Sequence, residues 1–211
     1  EEALSVSDVV GFVIGTPPDC MPDALLDYLA QLHREKFVLV EYGVESTCDV
    51  TLERINRGHT YQCAVETIQR TAERGLPVGA HFILGLPGET REFTVQQAET
   101  INQLPIDTLK LHQLQIIRGT AMAREFGQQR ERASQDASFV SDYYLYTAEE
   151  YASLIVDFLE KLRPDLVVER FTSSSPQALL LAPEWGLKNY EFVALVDKEL
   201  RRRDSWQGKY Y

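Results

Sequence analysis

The sequence is poor in cysteine, in basic charge and in unbroken apolar stretches. Three cysteines, Cys20, Cys48 and Cys63, are spread over 211 residues. Their odd number and wide spacing exclude a disulfide framework and match no metal-ligand pattern. They read as buried, inert thiols of a reducing cytoplasm. No apolar run approaches the ~20 residues of a membrane span, and no signal peptide opens the chain. A membrane role is therefore not expected. Lys and Arg number 21 against 32 Asp and Glu, a formal net charge of −11. Such an acidic balance disfavours a large phosphate-binding face, and nucleic acid with it. The short basic cluster Arg201-Arg202-Arg203 reads as the end of a helix, where cations suit the dipole. Internal repeats and low-complexity segments are also lacking. Glu1-Glu2, followed soon by an apolar run from Val9, reads as a cut from a longer chain.

What is present is a regular alternation of strands and helices. Its clearest piece is Val78 to Thr90. Val78 to Leu84 is a short apolar run, which reads as a buried strand. Gly85, Pro87 and Gly88 break it, and Thr90 caps the helix that follows. Strand, glycine loop and helix start form a common ligand-binding layout, because glycine admits close approach and helix amides point at the ligand. Such a loop is equally compatible with an ordinary turn that binds nothing.

The rest falls in order around it. Val9 to Ile14 reads as a first strand. Pro22 opens a helix with Leu25, Leu26, Leu29 and Leu32 inward. Phe37 to Val40 begins a second strand that continues to Ser46. Asp49 is the expected cap of a short helix, and Thr60 the cap of a longer one stopped by Gly75. Thr108 to Ile117 reads as a fourth strand. Gln128 to Ser141 is polar and aperiodic, and is expected as a mobile loop or frayed helix. Thr147-Ala148-Glu149-Glu150 is a capping box. Leu166 to Phe171 is a fifth strand, and a final helix runs through Leu200. Repeated strand–helix units imply parallel strands, with ligands at the strand C-termini. That rim would carry Gly15-Thr16, Glu45-Ser46, Gly85 to Thr90 and Arg118-Gly119-Thr120.

Several stretches then resemble a known family: Ile14-Gly15-Thr16 with Pro18-Asp19-Cys20, Glu41 to Ser46, Ile55 to His59, Ile83 to Thr90, and Lys110-Leu111-His112 through Thr120. Leu181 to Trp185 adds a C-terminal piece. Together they resemble the radical S-adenosylmethionine (radical SAM) superfamily, in particular bacterial Fe-S oxidoreductases related to elongator-type proteins. The resemblance implies an α/β fold built from the later units of a (β/α)6 barrel. The result would be an open, partial TIM-like barrel over residues 1–130, with a C-terminal α/β extension over 131–211. It implies S-adenosylmethionine (SAM) and a 4Fe–4S cluster as cofactors of the full-length protein. The family's CxxxCxxC loop is not in these residues, so no cluster is expected on this chain alone.

For the cofactor site, the resemblance implies Glu45 near the SAM ribose and Arg57 on its carboxylate. Ile83 and Gly85 would bring backbone to the adenine, with Gln115 passing nearby. Arg57 also reads as a plain helix-end charge, and His81 either as a packed histidine or as a ligand contact. Pro17 stands where relatives carry arginine. The rival reading is a non-redox α/β binding or interaction module. The substrate stays unnamed. An unblunted apolar strand at Val9 to Ile14 predicts self-association through the sheet edge or its inner face.

Overall fold

The computed structural model describes residues 2, 4 and 6–211. In chain order its elements are β1 (Gly11–Thr16), α1 (Asp23–His33), β2 (Phe37–Glu45), α2 (Asp49–Arg54), α3 (Tyr61–Glu73), β3 (Val78–Leu84), α4 (Arg91–Ile101), β4 (Thr108–Gln113), β5 (Ile116–Ile117), α5 (Ala121–Gln135), α6 (Ala148–Lys161), β6 (Val167–Arg170), β7 (Leu180–Ala182) and α7 (Asn189–Arg202). Among the described residues, β1, β2, β3, β4 and β6 form one sheet in that spatial order. β1 pairs parallel with β2, and β2 with β3. The sheet is open, with β1 and β6 at its ends. This is the α/β architecture expected from the strand–helix alternation, open as the partial barrel implied by the family resemblance would be. No described helix is long and apolar enough to cross a membrane.

The chain divides into two compact units. The first comprises Glu1–Phe82, Asn102–Lys110 and Asp165–Glu169. Here β1 begins two residues later than the apolar run at Val9, because its ladder starts only where β2 starts, with Gly11 opposite Phe37. A Cβ at Gly11 would lie 2.1 Å from the Phe37 carbonyl oxygen, so glycine is required there. Only Leu26 and Leu29 of α1 are buried; Leu25 is exposed. Thr60 caps α3 by accepting a hydrogen bond from the Cys63 amide. Asp49 does not cap α2. It is the first residue of that helix, and its carboxylate accepts the Tyr61 amide at 2.6 Å, tying α2 to α3.

The second unit comprises Ile83–Ile101, Leu111–Pro164 and Arg170–Tyr211. The capping box at Thr147 and Glu150 forms as expected and starts α6. Leu154, Ile155 and Phe158 of that helix are fully buried, each contributing roughly 1.5–3 kcal/mol. Asp157 on α6 receives Arg91 of α4 and Arg203 at the end of α7, both at 2.5 Å. Tyr151, Trp185 and Phe192 form a ring cluster, with Trp185 and Phe192 nearly parallel at 5.5 Å and Tyr151 tilted against both.

In this unit one expectation fails and another is met by one of its two alternatives. The stretch from Thr108 to Ile117 is not one strand. β4 ends at Gln113, and Ile116–Ile117 pair antiparallel with β7 in a separate two-stranded sheet. The break coincides with Gln113 and Gln115, whose carboxamides bond the loop at Ser173 and Ser175. The segment Gln128 to Ser141 is helical as far as Gln135, as part of α5. Thr120 caps that helix on the Ala123 amide. None of its residues is buried, so no apolar stripe betrays it.

The cysteines also depart from expectation. Cys20 is exposed, while Cys48 and Cys63 are half-buried. Cys48 and Cys63 sit at helix starts and Cys20 ends a short helical turn before α1, none of them in a core position. Partial burial and neighbouring carboxylates push the Cys63 thiol up from its usual range.

Candidate functional site

The site grows out of strand alternation in the first unit. Val38, Val40, Tyr42 and Val44 of β2 are fully buried, and the Tyr42 hydroxyl bonds Thr71 of α3 at 2.7 Å. The helices therefore cover this face. Side chains alternate along a strand, so Glu41, Gly43 and Glu45 belong to the opposite face. On β3 the same split sets Val78, Ala80 and Phe82 against Gly79 and His81, and on β4 it sets Leu109 against Thr108 and Lys110. One face is apolar, and the other carries charge.

Glu45 ends β2 at φ +72, in the left-handed region that non-glycine residues seldom occupy. The register with β3 shifts between Gly43 and Glu45, which turns the chain at this point. Such backbone costs about 1–3 kcal/mol and collects at functional sites. Arg57 comes from the turn after α2, where Asn56 and Gly58 both have positive φ. Its Nε and Nη2 donate to the Gly43 carbonyl at 3.1 and 2.6 Å, and Nη2 lies 3.4 Å from Glu45 Oε1. His59 Nε2 stands 3.1 Å from the same carbonyl. A Cβ on Gly43 would lie 2.3 Å from Arg57 Nη2 and 2.6 Å from Glu45 Oε1. Only glycine lets the two charged groups close over the strand. Burial pushes the Glu45 carboxyl up to about 7, against the opposing pull of Arg57. A carboxyl so placed can both accept and donate hydrogen bonds near neutral pH.

A second cluster lies on the same face. Glu41 reaches Lys110 with Oε1 and His81 Nε2 with Oε2, the latter at 3.1 Å. Lys110 also stands 3.4 Å from Glu169 of β6. Burial pushes the Glu41 carboxyl up, but the hydrogen bonds from Lys110 and His81 outweigh it and leave it below its ordinary value.

Of the residues expected at the cofactor site, Glu45 and Arg57 are brought together, and His81 stands in the Glu41–Lys110 cluster. Ile83 and Gly85 lie in the second unit, at the end of β3 and just after it. Gly85 has φ +84, and a Cβ there would meet the Tyr146 ring at 3.0 Å. Gln115 lines a cavity of about 550 Å³ with Gln113, Ser173, Ser175 and Trp185. Gly43, His59, Glu41 and Lys110 were not singled out as site residues from the sequence. The signal of Glu41, Gly43 and Lys110 was polar and glycine residues at every second position of otherwise apolar strands, whereas His59 lies in the turn before α3 and carries no such pattern.

A 4Fe–4S cluster needs thiolate ligands. Among the described residues no three His, Cys, Asp or Glu side chains are grouped to hold a metal, and the three thiols are separate and free. These residues do not fit the cluster. The Glu45–Arg57 pair does fit a zwitterionic nucleoside such as SAM. A carboxyl that accepts and donates suits ribose hydroxyls, and a guanidinium suits a carboxylate.

An open sheet whose β1–β2 and β2–β3 pairings are parallel, with helices between its strands, is an α/β architecture, and the paired charges lie at the C-terminal end of β2. Residues 2–96 match the Radical SAM superfamily, and residues 106–202 match the Radical_SAM C-terminal domain. The chain belongs to the radical SAM superfamily. It is 34% identical over 212 residues to the uncharacterized protein YtqA of Bacillus subtilis, covering 100% of this chain and 62% of that protein. It is 33% identical over 201 residues to protein YhcC of Escherichia coli, covering 95% and 61%. This chain thus spans less than two thirds of the length of these curated relatives. In fold it is similar to archaeal Elp3 of Methanocaldococcus infernus, with a TM-score of 0.76 at 20% identity over 94% of this chain and 43% of that one.

Proposed function

We propose that this chain carries the SAM-binding part of a radical SAM oxidoreductase whose cluster ligands lie outside these 211 residues. The observation that carries the reading is the Glu45–Arg57 pair, held over Gly43 at the C-terminal end of β2 within the superfamily match. Arg57 would hold the carboxylate of SAM, trading its contact with Glu45 for a charge-assisted bond. Glu45 would accept the ribose hydroxyls. The register shift and the positive φ at Glu45 would keep its carboxyl at the rim instead of along the strand. When bound, the cluster supplies the single electron that splits SAM for radical chemistry. The residues of this chain position the nucleoside and exclude water.

The test is anaerobic incubation of the reconstituted full-length protein with SAM and dithionite. The reading expects methionine and 5′-deoxyadenosine to accumulate in equal amounts. SAM left intact by a cluster-loaded protein would favour the rival reading, a non-redox binding module. That rival is motivated by the lack of a grouped metal-ligand set among the described residues.

A further inference from the structure

The Glu41 cluster has no task in the cofactor reading, and its placement calls for one. Central positions of parallel strands are normally apolar, since both faces are covered. A buried ion network there is seldom the most stable choice, because apolar side chains of similar volume often do as well or better. Four adjacent strands nevertheless contribute to it: Glu41 from β2, His81 from β3, Lys110 from β4 and Glu169 from β6.

The exposures are ordered. The Glu41 side chain is 7% exposed, Lys110 17% and His81 25%. The carboxylate is the most buried of the three and the two nitrogen groups are the more accessible. Gly79 makes this possible, since a Cβ there would stand 2.9 Å from Glu41 Cγ. Without one, Glu41 lies flat across β3 and offers one oxygen to each base. On a chain of net charge −11, Lys110 and His81 are the accessible members of the cluster, with nitrogen donors towards the solvent side. Glu169 is the exception. It meets Lys110 from the sheet edge at 3.4 Å and is 31% exposed, a loose contact that an incoming anion can replace.

We propose that this cluster recognises an anionic group of the substrate, a carboxylate or a phosphate, with Lys110 and His81 in contact and Glu41 as the positioning residue. Glu41 is held ionised by its two partners, which fixes both nitrogen bases in place before a ligand arrives. The proposal stands on residues other than Glu45 and Arg57, so loss of the SAM reading leaves it intact.

The test is calorimetric titration of the full-length protein, without SAM, with malonate and with inorganic phosphate. Lys110→Met alone leaves Glu41 buried without its cation, so the double variant Glu41→Gln with Lys110→Met is measured beside it. Arg202→Ala, an exposed cation at the end of α7, serves as the control for non-specific anion binding. The expected result is saturable binding of at least one anion, weakened about tenfold or more in the double variant and unchanged in the control. The stronger of the two probes then identifies the source, carboxylate or phosphate. No saturable binding of either anion, or equal binding in the double variant, overturns the proposal.

Discussion

Replacing Glu45 by glutamine tests the electrostatics of the rim. Glu45 is buried, and its carboxyl titrates near 7 instead of near 4.5. The folded chain then holds a proton that the unfolded chain has already released. Stability from this group is fully present below about pH 4.5 and is lost as the pH rises through 7. At about 1.4 kcal/mol per pH unit, ionising Glu45 costs the folded state about 3 kcal/mol once the pH is well above 7. Glutamine keeps the shape of the protonated acid and does not titrate. Glu45→Gln is therefore expected to match the wild type at pH 4.5 and to exceed it in stability by about 2–3 kcal/mol at pH 8. Urea unfolding of both proteins at pH 4.5, 6, 7 and 8 reads this directly, provided both transitions are two-state. A stability difference that does not change with pH would refute the reasoning, because Glu45 would then titrate like an exposed carboxylate.

Other predictions address the frame. Gly79→Ala places a Cβ 2.8 Å from Thr108 Oγ1 and 2.9 Å from Glu41 Cγ, and is expected to cost about 1–3 kcal/mol in a urea titration. Thr147→Ala removes the cap of α6 and is expected to cost about 1 kcal/mol, checked by the same titration. β1 stands at the end of the sheet, and Val10, Val13 and Phe37 are exposed. Self-association of the chain is therefore expected in sedimentation at micromolar concentration, and a clean monomer would show that this edge is protected.

Much of the fold was legible because the strands of the first unit are apolar on one face and the caps in both units are chemically explicit. Thr60, Thr147 and the glycine loop after Leu84 each took the role their chemistry dictates. Where several elements compete for one group, the sequence was mute. Asp49 had two amides within reach in principle, and only the folded chain gives its carboxylate to Tyr61. β4 ends at Gln113 because its side-chain amide bonds a serine sixty residues away. α5 carries no buried residue, so nothing periodic marked it. At the candidate site, family resemblance brought out Glu45 and Arg57. Their meeting over Gly43 depends on a register shift and a positive φ that no local pattern encodes. The Glu41 cluster was written in the strands as single polar residues far apart in sequence, and it becomes a cluster only through sheet order.

The central claim is that Arg57 holds the carboxylate of SAM. Its most direct test is the affinity of the cluster-loaded full-length protein for SAM, measured by equilibrium dialysis with the wild type and with Arg57→Ala. Loss of a charged hydrogen-bond partner predicts weakening by ~1.5–3 kcal/mol, or about ten- to a hundredfold. An Arg57→Ala protein that folds, keeps its cluster and binds SAM with unchanged affinity would contradict the account.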